Sequence, residues 1–329
     1  MSVTGQCWKI YALGGGLGHF HRALVLGRAI VVQGHSVEIL TNSRFAPHIP
    51  WQTELGELGG VSFIHPEKSP EYTSTAVTEW LLTGGFDRLI VDTFPRGLAG
   101  ELSGLLAEMT VPKVLIHRDL NPEYIKQHDV EKAVAQFDQL ILPGEGAPFA
   151  DMLNARRTEP WFIRDPQELL SADQSRLQLG MKTDDSRRLL FVCSTGRAEE
   201  EKQFKSVTDE LKQSLEGWCV RLASPISGAA ELTVWPLLPL LNGVDALVGA
   251  GGYNLVNEAR ATETPLFAFA QERRYDRQHV RLMRDECVSD VPGILSGLGS
   301  LRESSRTGSF INGVHEAVEW IEFGYSGCA

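Results

Sequence analysis

The stretch YALGGGLGHFHRALVLGRAI, residues 11–30, decides the fold. It joins an apolar run, CWKIYAL (7–13), through a glycine-rich turn to FHRALVLGRAIVVQG, in which Ala23, Leu24, Leu26, Ala29, Ile30 and Val31 fall near helical spacing. The apolar run reads as a buried parallel strand, and Gly34 as a helix C-cap. HSVEILT (35–41) reads as a second strand, which closes a βαβ unit of about 30 residues.

Outward from this unit the alternation repeats. VSFIHP (61–66) reads as a strand, TSTAVTEWLLTGG (73–85) as a helix, FDRLIVDTF (86–94) as a strand and GLAGELSGLLAEMT (97–110) as a helix. PKVLIHRD (112–119) and QFDQLILPG (136–144) read as further strands, so the first half is a doubly wound α/β domain. The polar stretch 154–188 shows no alternation and reads as a connection. A second α/β series follows it: RLLFVCSTGRAEEEKQF, GWCVRLAS, ELTVWPLL, VDALVGAGGYNLVNEARAT and TPLFAFA. The expected organisation is two Rossmann-like domains, 1–155 and 188–329, joined by 156–187 and facing across a cleft between strand carboxyl ends. The last helix is free to return to the N-terminal domain.

Composition agrees with two cores. The chain has 329 residues, of which 43% are hydrophobic and 22% charged. A formal net charge of -11 argues against a general nucleic-acid binder, because phosphate backbones are held by excess Lys and Arg. Five cysteines without C-x-x-C spacing suggest neither a zinc knuckle nor a disulfide framework, and fit a reducing cytoplasm. The start, MSVTGQCWK, lacks a basic n-region followed by an apolar core, and LTVWPLLPLLNGV (232–244) is too short and too Pro-broken to span a bilayer. A soluble protein is expected, with weak peripheral membrane association left open.

The glycine loop departs from a dinucleotide-binding loop at one position. That fold wants G-x-G-x-x-G and an acidic residue ending the second strand. Here Gly14 and Gly16 are followed by His19, and the second strand ends in Thr41-Asn42. His19 reads as a general base presented to the cleft, since imidazole suits taking a hydroxyl proton near neutral pH. Asp92, ending an apolar strand at the same sheet edge, is placed to orient that imidazole as the third member of a triad does. The plainer readings are a locally bonded helix-start histidine and a turn or capping aspartate. His21 raises an H-x-H metal reading that lacks a third ligand.

In the second half, Gly249, Gly251 and Gly252 precede a helix running through Asn254 to Arg260, where a pyrophosphate can approach the helix N-terminus. Glu258 on that helix is placed to accept both ribose hydroxyls; otherwise it belongs to a solvated helix face.

GGGLGH, GAGGYNLVNEA and DRQH together resemble the GT-B fold glycosyltransferases that use UDP-sugars. The nearest branch holds the bacterial N-acetylglucosaminyltransferase that builds the lipid-linked peptidoglycan precursor; plant and animal UDP-glycosyltransferases are more distant. The resemblance covers most of the chain, and what it implies is metal-independent transfer of a sugar from UDP to an acceptor hydroxyl, with no cofactor. It puts the glycine loop on Gly14, Gly15, Gly16 and Gly18, the base on His19 and its partner on Asp92. It also puts the phosphate-side loop on CSTG (193–196, with Ser194 and Thr195), the nucleotide turn on Gly251, Gly252 and Asn254, the ribose carboxylate on Glu258, and the sugar contacts on Asp276 and Gln278. Two departures stand out. His279 replaces a second glutamine, and the N-terminal half carries about 13 Lys and Arg against about 18 Asp and Glu, a net charge of about −5 where a lipid-acceptor enzyme needs a basic face. A UDP-sugar hydrolase of the same fold, suggested by GHFHR, and a nucleotide-sugar binding protein without turnover remain as alternatives.

Overall fold

The structure is a computed structural model that describes residues 5–194, 198–301 and 309–324. The chain divides into two units, Met1–Ile163 with Asn312–Ala329, and Arg164–Ile311. The first is built on seven parallel strands: β1 (Cys7–Ala12), β2 (Ser36–Thr41), β3 (Gly59–Phe63), β4 (Arg88–Asp92), β5 (Lys113–Ile116), β6 (Gln139–Pro143) and β7 (Ala155–Thr158). Their spatial order is β3-β2-β1-β4-β5-β6-β7. Chain order therefore reverses between β1 and β4, and the crevice at their carboxyl ends is the switch point where open α/β sheets bind ligands.

The central strands are apolar runs because helices cover both faces of the sheet. Ile10 and Tyr11 of β1, Leu89, Ile90 and Val91 of β4, and Val114 and Leu115 of β5 are all buried. Lys9 interrupts this pattern and is buried as well. Its ammonium donates to the carbonyls of Trp80 and Thr83, both at 2.5 Å, at the C-terminal end of the helix Pro70–Leu82. A cation there meets unsatisfied carbonyls and the negative end of the helix dipole.

The chain leaves this unit after Ile163 and re-enters it at Asn312. The Asn312 amide acts there as a peptide would: Oδ1 accepts from Phe162 N–H at 3.0 Å and Nδ2 donates to the Phe162 carbonyl at 2.9 Å. The last helix, Val314–Phe323, then packs on the first helix, Leu17–Val32, and on β6 and β7. The stretch read as a connection contains β7 and the helix Ala172–Gln178. As an edge strand of sequence ARRT, β7 carries no apolar run, so its pairing with β6 leaves no periodic signal. The helix expected over 97–110 shrinks to Leu105–Glu108. Gly97 and Gly100 take left-handed conformations, and the Glu101 carboxylate captures the backbone N–H groups of Leu98 and Ala99.

The second unit holds five parallel strands: β8 (Arg188–Cys193), β9 (Trp218–Ser224), β10 (Leu232–Thr233), β11 (Ala246–Ala250) and β12 (Leu266–Phe269), in the order β10-β9-β8-β11-β12. Leu190, Val192, Phe204, Val248, Phe267 and Ile294 lie in its core. β10 is shorter than the ELTVWPLL run suggests, since Pro236 and Pro239 have no N–H for a ladder. Among the described residues, no helix is long and apolar enough to cross a membrane.

Candidate functional site

In the first unit the turn after β1 opens the helix Leu17–Val32, whose N-terminus has Gly16 at the cap, no side-chain cap and no acidic residue in its first turn. Asn42, just past β2, shapes the turn by accepting from the N–H groups of Gly14 and Gly15, each at 2.8 Å. His19 lies in the first turn of the helix. Its ring packs directly on Gly14, where a Cβ would fall 2.1 Å from His19 Cδ2. That glycine is the space the imidazole occupies.

Asp92 ends β4 across the switch point, and His19 Nδ1 lies 2.6 Å from its Oδ2. The structure thus joins two sequence-read residues 73 positions apart. Side-chain exposure is 19% for His19 and 2% for Asp92. Burial alone would raise the Asp92 carboxyl; the Arg22 guanidinium and the His19 hydrogen bond outweigh it and hold the carboxyl well below the usual range. An ionised carboxylate only accepts, so the proton of the short contact belongs to His19 Nδ1. Phe94 stacks on the ring, with centroids 5.4 Å apart. Gly16 and Gly18 border the turn, and a Cβ on Gly16 would meet nothing within 4 Å.

Arg22 escaped the sequence reading. Its Nε donates to Asp92 Oδ1 and its Nη2 to Oδ2, both at 2.8 Å. The available signal was spacing: residues i and i+3 share a helix face, and His19 and Arg22 are so related. His117, one residue beyond β5 at the same sheet edge, is fully buried against Phe149. Burial pushes its imidazole down to about 4.

The second unit gathers the other group. Ser194, after β8, is buried with its N–H on the Ala223 carbonyl at 2.9 Å; Thr195 lies outside the described residues. Gly252 caps the helix Tyr253–Ala261, which has no side-chain cap and no acidic residue in its first turn, and Asn254 sits in that turn. A Cβ on Gly251 would press on Leu282 and on Gln278 Cβ, at 2.9 and 3.3 Å. Glu258 is buried, not on a solvated face, and burial raises its carboxyl to about 8. The Cys193 thiol is pushed up by burial and then by the charge of Glu258. Gln278 Oε1 accepts from Gln271 N–H at 3.0 Å. Asp276 is paired with Arg281, whose Nη2 reaches Oδ1 at 2.6 Å while Nη1 donates to the Gly251 carbonyl at 2.9 Å. Arg281 therefore ties Asp276 to the glycine turn, a link with no sequence signature. Among the described residues, no group of three or more His, Cys, Asp or Glu side chains is arranged to hold a metal ion.

Solved structures with this architecture are glycosyltransferases. The glycosyltransferase of kitacinnamycin superposes with a TM-score of 0.61 at 14% identity, covering 97% of this chain and 99% of that one. CalG4, the calicheamicin glycosyltransferase, gives 0.58 at 16% identity over 97% and 94%. Phytolacca americana UGT2, solved with UDP-2-fluoro-glucose and pterostilbene, gives 0.54 at 13% identity over 99% and 92%. The fold is GT-B. The sequence matches no family model and no curated protein, so the likeness rests on the fold.

Proposed function

We propose that the protein is a metal-independent glycosyltransferase that moves a sugar from a UDP-sugar to an acceptor hydroxyl, with His19 as general base. The observation that carries the reading is the 2.6 Å contact between His19 Nδ1 and the ionised Asp92 carboxylate, at the switch point of a GT-B fold. With Nδ1 committed to Asp92, Nε2 is the nitrogen that takes the acceptor proton as its oxygen attacks the anomeric carbon. Asp92 orients the ring and offsets the imidazolium charge that forms. One base driving one displacement inverts the anomeric centre.

The second unit is the nucleotide side of this reading. Gly251 and Gly252 let the diphosphate approach the uncapped N–H groups of Tyr253–Ala261, which meet its charge without a divalent ion. Glu258 bonds the ribose hydroxyls through its carboxyl group, and Ser194, Thr195, Asn254, Asp276 and Gln278 complete the donor contacts. The free cysteines accord with a cytoplasmic setting.

A mass-spectrometric screen of UDP-, dTDP- and GDP-sugars against small acceptors tests the proposal. Glycosylated product from a UDP-sugar is expected; turnover of the donor at the same rate with and without acceptors would make the protein a hydrolase, and no turnover of any donor would defeat both.

A further inference from the structure

We propose that Arg22 is a positioning residue for the His19–Asp92 pair: its guanidinium fixes both carboxylate oxygens, so that the carboxylate keeps Nδ1 of the imidazole and leaves Nε2 for the acceptor. The inference rests on reading His19 as the base.

The geometry is a shared carboxylate. Arg22 follows His19 by three residues, which puts both side chains on the face of the first helix that meets the end of β4. Its planar fork grips Asp92 through Nε to Oδ1 and Nη2 to Oδ2, at 2.8 Å each, with Arg22 and Asp92 side chains 3% and 2% exposed. Oδ2 also receives His19 Nδ1 at 2.6 Å and the Thr93 hydroxyl at 3.2 Å. Arg22 Nη2 reaches the Thr93 hydroxyl oxygen at 3.2 Å as well. A carboxylate held by this many donors cannot swing, and the ring that donates to it inherits its position.

Arg22 Nη2 lies 3.3 Å from His19 Nδ1. Both nitrogens carry protons, so this contact is not a hydrogen bond but a cation set against the ring. Among the described residues, the groups shown against His19 are Asp92 from the end of β4, the Phe94 ring, the Gly14 backbone and Arg22 from its own helix. Asp92 and Arg22 are the charged pair among them. The base therefore keeps the orientation that a carboxylate held at both oxygens provides.

The test needs no substrate. Ring-¹⁵N NMR of His19, assigned by its loss in His19→Ala, is followed with pH in the wild type, Arg22→Gln and Arg22→Lys. The wild type is expected to show the Nδ1–H tautomer with Nε2 bare at neutral pH. Arg22→Gln, and Arg22→Lys, which keeps a cation but loses the fork, should lose the single tautomer and show Nδ1–H and Nε2–H forms mixed. An unchanged His19 tautomer in a folded Arg22→Gln overturns the inference. Should Arg22→Gln fail to fold, Arg22→Lys carries the same comparison: a wild-type tautomer there overturns the inference, and a mixed one supports it. The base reading fails separately, if His19→Ala keeps wild-type turnover of donor and acceptor.

Discussion

The imidazole of His19 fills the place where any side chain on Gly14 would begin: a Cβ there would lie 2.1 Å from Cδ2 and 2.4 Å from Nε2. A methyl group at 14 must push the ring away from Asp92 or move the turn. Gly14→Ala is therefore expected to lose most of the activity lost by His19→Ala, while costing about 1–3 kcal/mol of stability as an overpacked contact does. Turnover together with denaturant unfolding checks this; wild-type turnover in Gly14→Ala would mean that the ring's position is irrelevant to the chemistry.

For the dyad itself, His19→Ala is expected to slow transfer by roughly 10²–10⁴-fold, the range for a general base. Asp92→Asn should slow it less, and the double variant should lose no more than His19→Ala alone, because the pair acts as one unit. Stability will behave differently. Asp92→Asn leaves the Arg22 guanidinium buried without its carboxylate, which costs about 3–5 kcal/mol, whereas His19→Ala leaves the Arg22–Asp92 pair intact. Comparing unfolding free energies of the two variants at neutral pH tests this ordering.

Glu258 makes a prediction about pH. Its folded-state carboxyl is raised to about 8 from the ordinary 4.5. Between those values the folded protein holds a proton that the unfolded chain has released, so stability falls as pH rises through this window, by a few kcal/mol in all. Glu258→Gln should remove that loss and be the more stable protein at pH 9, with little difference at pH 4. Above pH 8, where this carboxyl is ionised, Glu258→Ala should weaken UDP binding by about 1.5–3 kcal/mol if the carboxylate accepts the ribose hydroxyls. Calorimetry with UDP distinguishes the ribose role from a purely structural one.

His117 has the opposite sign. Burial lowers its folded-state value to about 4 from 6.5, against the smaller pull of the Pro148 carbonyl and Asp119. The unfolded chain binds a proton there that the folded protein refuses, so stability rises with pH between about 4 and 6.5 and acid erodes it. His117→Asn should flatten that slope in urea titrations at pH 4.5 and 7, whatever it does to the absolute stability.

What the sequence determined by itself is what depends on neighbours along the chain. Strand, glycine turn and helix at 7–32, and again at 246–261, are legible because burial on both faces makes parallel strands apolar and because helices start where glycine leaves backbone N–H groups exposed. His19 and Asp92 were legible as a histidine opening the helix after one such strand and an aspartate ending another. The edge strand β7 was not, since an edge strand with polar side chains has no period that separates it from a loop. Nor was the turn at 97–104, where a tertiary partner, Tyr11, joins Glu101 in holding the Leu98 N–H. Only the folded chain decided that Arg22 reaches the same carboxylate as His19, that Arg281 ties Asp276 to Gly251, and that Glu258 is buried deeply enough to hold its proton. The physical reason is common to all three: a hydrogen bond or a desolvation is set by distance in space, and residues far apart in sequence acquire that distance only when the sheet brings strand ends together.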